Sequence, residues 1–181
     1  MIYMPAEDSY ALNEVLKKEI PKLLKKNPNI KFLEIGAGSG IHLLTAEKLG
    51  IKKENIFSSD IDEKSVTHCN LLGYNCLKSN LFENIKGKYD LIIFNPPYLP
   101  EESYDKQQDT SGGKKGDEII ISFLKNAKNY LNNKGKILLL TSSLTPKISF
   151  KKLGYNFKKI SSEKLFYEQL FIWNLAPLTF F

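Results

Sequence analysis

The chain has 181 residues, 42% hydrophobic and 25% charged, which suits a single soluble globular domain with a substantial core. No run approaches the ~18 consecutive apolar residues of a membrane helix, and the first residues lack a basic-then-apolar leader pattern, so a cytoplasmic protein with no membrane partner is expected. The formal net charge is +6, yet all 26 basic side chains are lysine, which removes the residue best suited to bidentate reading of phosphate and guanine and weakens a nucleic-acid role.

Leu12, Val15, Leu16, Ile20, Leu23 and Leu24 recur at helical spacing and predict a helix over about 8–26, kinked or split at Pro21. A first strand is expected at 30–35, a helix at 41–49, a second strand at 55–60, a helix at 63–72 and a brief third strand at 74–77. Tyr89 to Phe94 reads as a buried fourth strand. Residues 99–116 are polar, carry Gly112, Gly113 and Gly116, and predict a long functional loop, within which Lys114 and Lys115 are candidates for contact with a substrate protein or ribosomal RNA. A helix over 117–131, a fifth strand over 136–141 and a short helix over 146–153 follow. Two β-rich segments, 155–160 and 165–174, are joined by 161–164, too short for a crossover, so they should form an antiparallel hairpin. The alternation of strands and helices predicts one α/β domain over 1–181, with its core at about 30–175 and a mostly parallel, doubly wound sheet.

The chemistry concentrates at strand ends. Asn95-Pro96-Pro97-Tyr98 follows the fourth strand, where open α/β sheets place their ligands. Asn95 supplies a side-chain acceptor, the prolines stiffen the loop and bare its carbonyls, and Tyr98 adds a flat aromatic surface. Together they suit a planar group bearing an NH2, either an amide or an amino-base. The first strand runs into Glu34-Ile35-Gly36-Ala37-Gly38-Ser39-Gly40, a turn that lets a ligand approach the backbone. Asp60 ends the second strand 24 residues after Gly36, where an acidic side chain can accept from ribose hydroxyls. Asp62 is placed to cap the helix after it. Asn80 and Leu81 follow the third strand and could flank a base, although Asn80 also suits a plain turn. Cys69 and Cys76 fit no zinc spacing and form no site with His42 or His68, so two reduced thiols and no metal centre are expected.

In this order the pieces resemble the class I S-adenosylmethionine-dependent methyltransferases, a Rossmann-like fold with a seven-stranded sheet ending in the antiparallel hairpin. More narrowly, Glu34–Gly40, Asn95–Tyr98 and the run Pro5-Ala6-Glu7-Asp8-Ser9 with Asp117-Glu118 resemble the HemK family of protein-glutamine N5-methyltransferases. The match is to the short archaeal and eukaryotic branch, which modifies class I translation termination (release) factors. The likeness runs from Met4 to about Trp173, and the first motif at residue 5 implies that the N-terminal helical domain of bacterial relatives is absent. It implies that Ser9 and Glu34 lie by the amino-acid end of S-adenosylmethionine, Gly36 and Gly38 floor its pocket, Asp60 holds its ribose, and Asn80 and Leu81 flank its adenine. Asn80 departs from the Asp common in the family. Asn95, Pro96, Pro97 and Tyr98 are the implied catalytic run, with S-adenosylhomocysteine as product. The resemblance also implies a small zinc-binding activator subunit extending the sheet, and the third strand, expected at an edge, is open to such pairing.

Two other readings share these features. The same clamp could serve exocyclic amino groups of DNA or RNA bases, though such enzymes need a way to extrude a base and hold the strand. A cofactor-fold scaffold without catalysis is the other, and cofactor binding discriminates it.

Overall fold

The computed structural model describes residues 4–97 and 116–178. Tyr98, most of the expected long loop and the pair Lys114-Lys115 lie outside the described residues. Seven strands form one sheet in the order β3-β2-β1-β4-β5-β7-β6. They are β1 (Phe32–Ile35), β2 (Ile56–Asp60), β3 (Asn75–Lys78), β4 (Tyr89–Phe94), β5 (Leu131–Ser142), β6 (Tyr155–Lys164) and β7 (Gln169–Pro177). The first five run parallel, while β7 is antiparallel to both β5 and β6. The third strand is an edge, as the sequence predicts, and the closing pair is the expected hairpin.

Strand alternation explains the layers. Phe32, Leu91, Ile93, Leu138 and Leu140 face one core, with Leu12 and Leu16 of α1 (Glu7–Leu24), Leu43 of α2 (Ile41–Lys48) and Val66 of α3 (Glu63–Leu71). Their neighbours Leu33, Ile92, Phe94 and Leu139 face the other core, filled by Ile120, Phe123 and Leu124 of α4 (Glu118–Ala127). Both faces of the central strands are therefore dry, which is why β4 reads as a continuous apolar run.

Three expectations need correction. Helix α1 runs unbroken through Pro21. Pro21 lies near its C-terminal end, so its missing N–H costs one terminal hydrogen bond, and its own carbonyl still accepts from the Lys25 amide. No helix forms over 146–153; residues 146–149 have no regular structure and the chain then turns tightly into Gly154 at φ +89. Phe150 anchors this segment, its ring centroid 5.3 Å from that of Phe157 and 5.2 Å from that of Trp173, and Ile148 and Leu153 pack against the same core. Finally, the hairpin turn falls at 165–168, because β6 continues through Ser161–Lys164. On an edge strand with little burial, polar residues do not signal a turn. Strand β5 likewise starts early, at Leu131, and reaches its regular stretch at Lys136 across an irregularity where Lys134 has φ +65.

Candidate active site

The parallel strands deliver their C-terminal ends to one edge, where the loops after β1, β2, β3 and β4 meet. In the β1–α2 loop Gly36, Gly38 and Gly40 all adopt left-handed backbone, with φ of +73, +51 and +73. This conformation costs a residue with a Cβ about 1–2 kcal/mol, so the glycines are needed for the turn itself. The loop is tied to β2 by amide donations from Gly36 and Ala37 to the Ser59 carbonyl, at 2.8 and 3.0 Å.

Asp60 locks the same junction. Its Oδ2 accepts from the Gly38 amide at 2.8 Å and its Oδ1 from the Asp62 amide at 2.9 Å. Burial raises its carboxyl above the ordinary range, against the pull of those amide donors. Asp62 caps α3 through the Lys64 amide, as expected. Beyond β3, Leu81 has φ +50, and its carbonyl accepts from Ser79 Oγ and Ser59 Oγ, which draws this loop toward the end of β2. The Asn80 side chain is exposed and donates to Glu83 Oε1 at 3.0 Å, the local turn contact its residue type allows.

A second cluster joins β1, α2, α1 and β4. Glu34 is buried on β1, with Oε1 2.6 Å from His42 Nδ1, while His42 Nε2 donates to the Ser9 carbonyl at 3.1 Å. Burial pushes the Glu34 carboxyl up, and His42 pulls it back only partly. Burial would lower His42, but the Glu34 carboxylate and the Ser9 carbonyl raise it overall. Both directions describe one proton retained within the pair. The second oxygen, Glu34 Oε2, is buried and has no hydrogen-bond partner among the described residues. Ser9 donates its amide and hydroxyl to Asp8 Oδ1, at 2.6 and 3.3 Å. Asp8 Oδ2 in turn accepts from Asn95 Nδ2 at 2.9 Å. That leaves Asn95 Oδ1 buried and, among the described residues, without a hydrogen-bond partner, at the head of Pro96 and Pro97.

Residues 14–164 match the methyltransferase small domain family. The chain belongs to that family. This methyltransferase domain is 36% identical over 189 residues to a protein assigned as an N5-glutamine methyltransferase, MJ0928 of Methanocaldococcus jannaschii, covering 96% of this chain and 90% of that one. It is 30% identical to methyltransferase HEMK2 of Mus musculus, over 77% of this chain and 71% of the relative. Among solved structures it resembles a chain of the E. cuniculi Mtq2–Trm112 complex, described as methylating the eRF1 termination factor. That match has a TM-score of 0.70, 22% identity and 98% coverage of both chains.

The methyltransferase domain thus brings Ser9, Glu34 and Asn95 into one cluster and Gly38 and Asp60 into direct contact, with Leu81 alongside. Sequence reasoning missed His42 and Asp8. Both signals were present: His42 is the second residue of the helix after the glycine loop, and Asp8 precedes Ser9 in the run Pro5–Ser9.

Proposed function

We propose that this domain methylates the side-chain amide nitrogen of a glutamine, in the Gly-Gly-Gln loop of an archaeal/eukaryotic-type translation termination factor. The observation that carries the reading is the buried Asn95 Oδ1, unpartnered among the described residues, in the residue that immediately precedes Pro96. A primary amide has two N–H donors, and two acceptors, Asn95 Oδ1 and the Pro96 carbonyl, would match them. An amide nitrogen is a poor nucleophile because its lone pair is delocalised. Holding both N–H bonds orients the nitrogen and stabilises the positive charge that develops on it. The proton then leaves to solvent, and no strong base is needed. Tyr98 would cover the planar amide.

The residues present fit S-adenosylmethionine. The left-handed glycine loop clears the approach, Asp60 offers carboxylate lone pairs for ribose hydroxyls, and Glu34 Oε2 is an acceptor for an ammonium group. Asn80 and Leu81 would border the adenine. When bound, the cofactor supplies an electrophilic methyl group on a sulfonium.

A partner subunit fits the β3 edge, at the opposite side of the sheet from β6. Leu71, Leu77 and Ile61 are 83%, 43% and 66% exposed around it. A cavity of about 570 Å³ opens beside the same strand, lined by Phe57, Asn75, Leu77, Asn84, Lys86 and Tyr89. An edge strand with apolar neighbours is suited to β-augmentation. The Mtq2–Trm112 complex motivates a small activator there, and the family resemblance implies that it binds zinc. The cytoplasm, where termination factors act, is the proposed location. No helix among the described residues is long and apolar enough to cross a membrane.

Methyl transfer to the termination factor, compared with DNA and RNA, tests the reading. Transfer to the factor, abolished when its loop glutamine is changed to alanine and strongly reduced in Asn95→Ala, supports it. Transfer to nucleic acid alone would replace it with an amino-base enzyme. A chain that does not bind the cofactor would be a scaffold.

A further inference from the structure

We propose that Asp8 is a positioning residue that fixes which end of the Asn95 amide faces the methyl acceptor. The inference rests on the acceptor role proposed above for Asn95. A carboxamide is nearly symmetric in shape, and a half-turn of its terminal torsion exchanges C=O with NH2 in the same place. Turned one way, Asn95 presents an acceptor to the substrate N–H. Turned the other way, it presents N–H to N–H and cannot clamp an amide.

The structure holds the useful orientation with a group that can only accept. An ionised carboxylate has no proton to donate, so Asp8 Oδ2, 2.9 Å from Asn95 Nδ2, selects the NH2 end and leaves Oδ1 as the unused acceptor. Among the described residues Oδ1 has no competing partner. Asp8 is itself fixed. It is 7% exposed in the first turn of α1, where the unpaired amides of a helix favour an anion, and its Oδ1 takes the Ser9 amide and hydroxyl. The Ser9 carbonyl is held by His42, so the first turn of α1 is pinned to the β1–α2 junction. The helix therefore acts across 87 residues of sequence to set one torsion in the β4 loop. A carboxylate behind the NH2 also polarises the amide, making Oδ1 a stronger acceptor for a nitrogen that gains positive charge.

Asp8→Ala and Asp8→Asn test this in the full chain, with any activator it requires. The readouts are cofactor Kd, kcat and KM for the termination factor, and the Asn95 side-chain amide NMR signals, assigned through Asn95→Ala. Asp8→Ala should keep cofactor Kd within about 3-fold and lower kcat about 30-fold or more, as loss of a pre-set polar contact does. Asp8→Asn can still offer a carbonyl oxygen to Nδ2 and should recover about 5-fold over Asp8→Ala. The hydrogen-bonded Asn95 amide proton should move upfield in Asp8→Ala. A kcat within about 3-fold of wild type in Asp8→Ala, or a loss that saturating cofactor restores, would overturn the inference. Equal impairment of the two variants would do the same. If the wild-type chain did not methylate the factor, the glutamine reading would fall separately. The NMR shift would still decide the Asp8 contact, and its persistence in Asp8→Ala would overturn it.

Discussion

His42→Leu isolates the electrostatics of the buried pair, because leucine nearly fills the same volume while removing both ring nitrogens. His42 is 3% and Glu34 1% exposed, so neither gains water when its partner goes. Removing one member of a buried pair typically costs about 3–5 kcal/mol. Left alone, Glu34 keeps its burial penalty without the His42 charge that offsets it, so its carboxyl is pushed further up. For a domain of this size that cost is a fall in melting temperature of about 6–20 °C. Calorimetry and urea unfolding measure it. Replacing the pair together, Glu34→Met with His42→Leu, should recover more than about half of the loss, since no charge is then stranded. The pair also sets a pH dependence. His42 is raised above 6.5, so its stabilisation is complete below that pH and is lost as pH rises through the higher folded value. Above about pH 7 the folded state binds more protons than the unfolded state, and stability falls by up to about 1.4 kcal/mol per pH unit. The double replacement removes that slope. A His42→Leu cost below about 1 kcal/mol, or a double variant worse than the single one, would refute the buried-pair reasoning.

Asp60→Ala should weaken cofactor affinity by about 10-fold or more in calorimetry while leaving kcat at saturation less affected, because it removes the proposed ribose acceptors and frees the Gly38 amide. Gly36→Ala meets only ordinary contact, 3.7 Å from the Phe94 ring, so its cost is that of φ +73, about 1–2 kcal/mol in urea unfolding. Leu71→Lys combined with Leu77→Lys should abolish co-purification of an activator subunit while raising the solubility of the isolated chain, since both leucines lie by the β3 edge.

Much of the fold was legible because the chain states it locally. Leu91 to Phe94 are dry on both faces, so the run is uninterrupted. Asp60 and the glycine loop announce themselves by spacing after strands. The hairpin was legible from the shortness of its connection, but its position was not, because Ser161–Lys164 are polar strand residues on a weakly buried edge. The expected helix at 146–153 failed because a tertiary contact, Phe150 against Trp173, sets that segment. The same limit hid His42 and Asp8. Each looks like an ordinary surface-helix residue until the fold brings Glu34 or Asn95 against it. Asn80 shows the converse, a residue whose local turn preference is what the structure displays.

The most direct test is peptide mass spectrometry of a termination factor co-expressed with this chain and the proposed activator. The expected result is one added methyl on the side-chain nitrogen of the Gly-Gly-Gln glutamine, lost with Asn95→Ala. An unmodified glutamine beside an active, cofactor-bound enzyme, or a methyl on another residue, would contradict it.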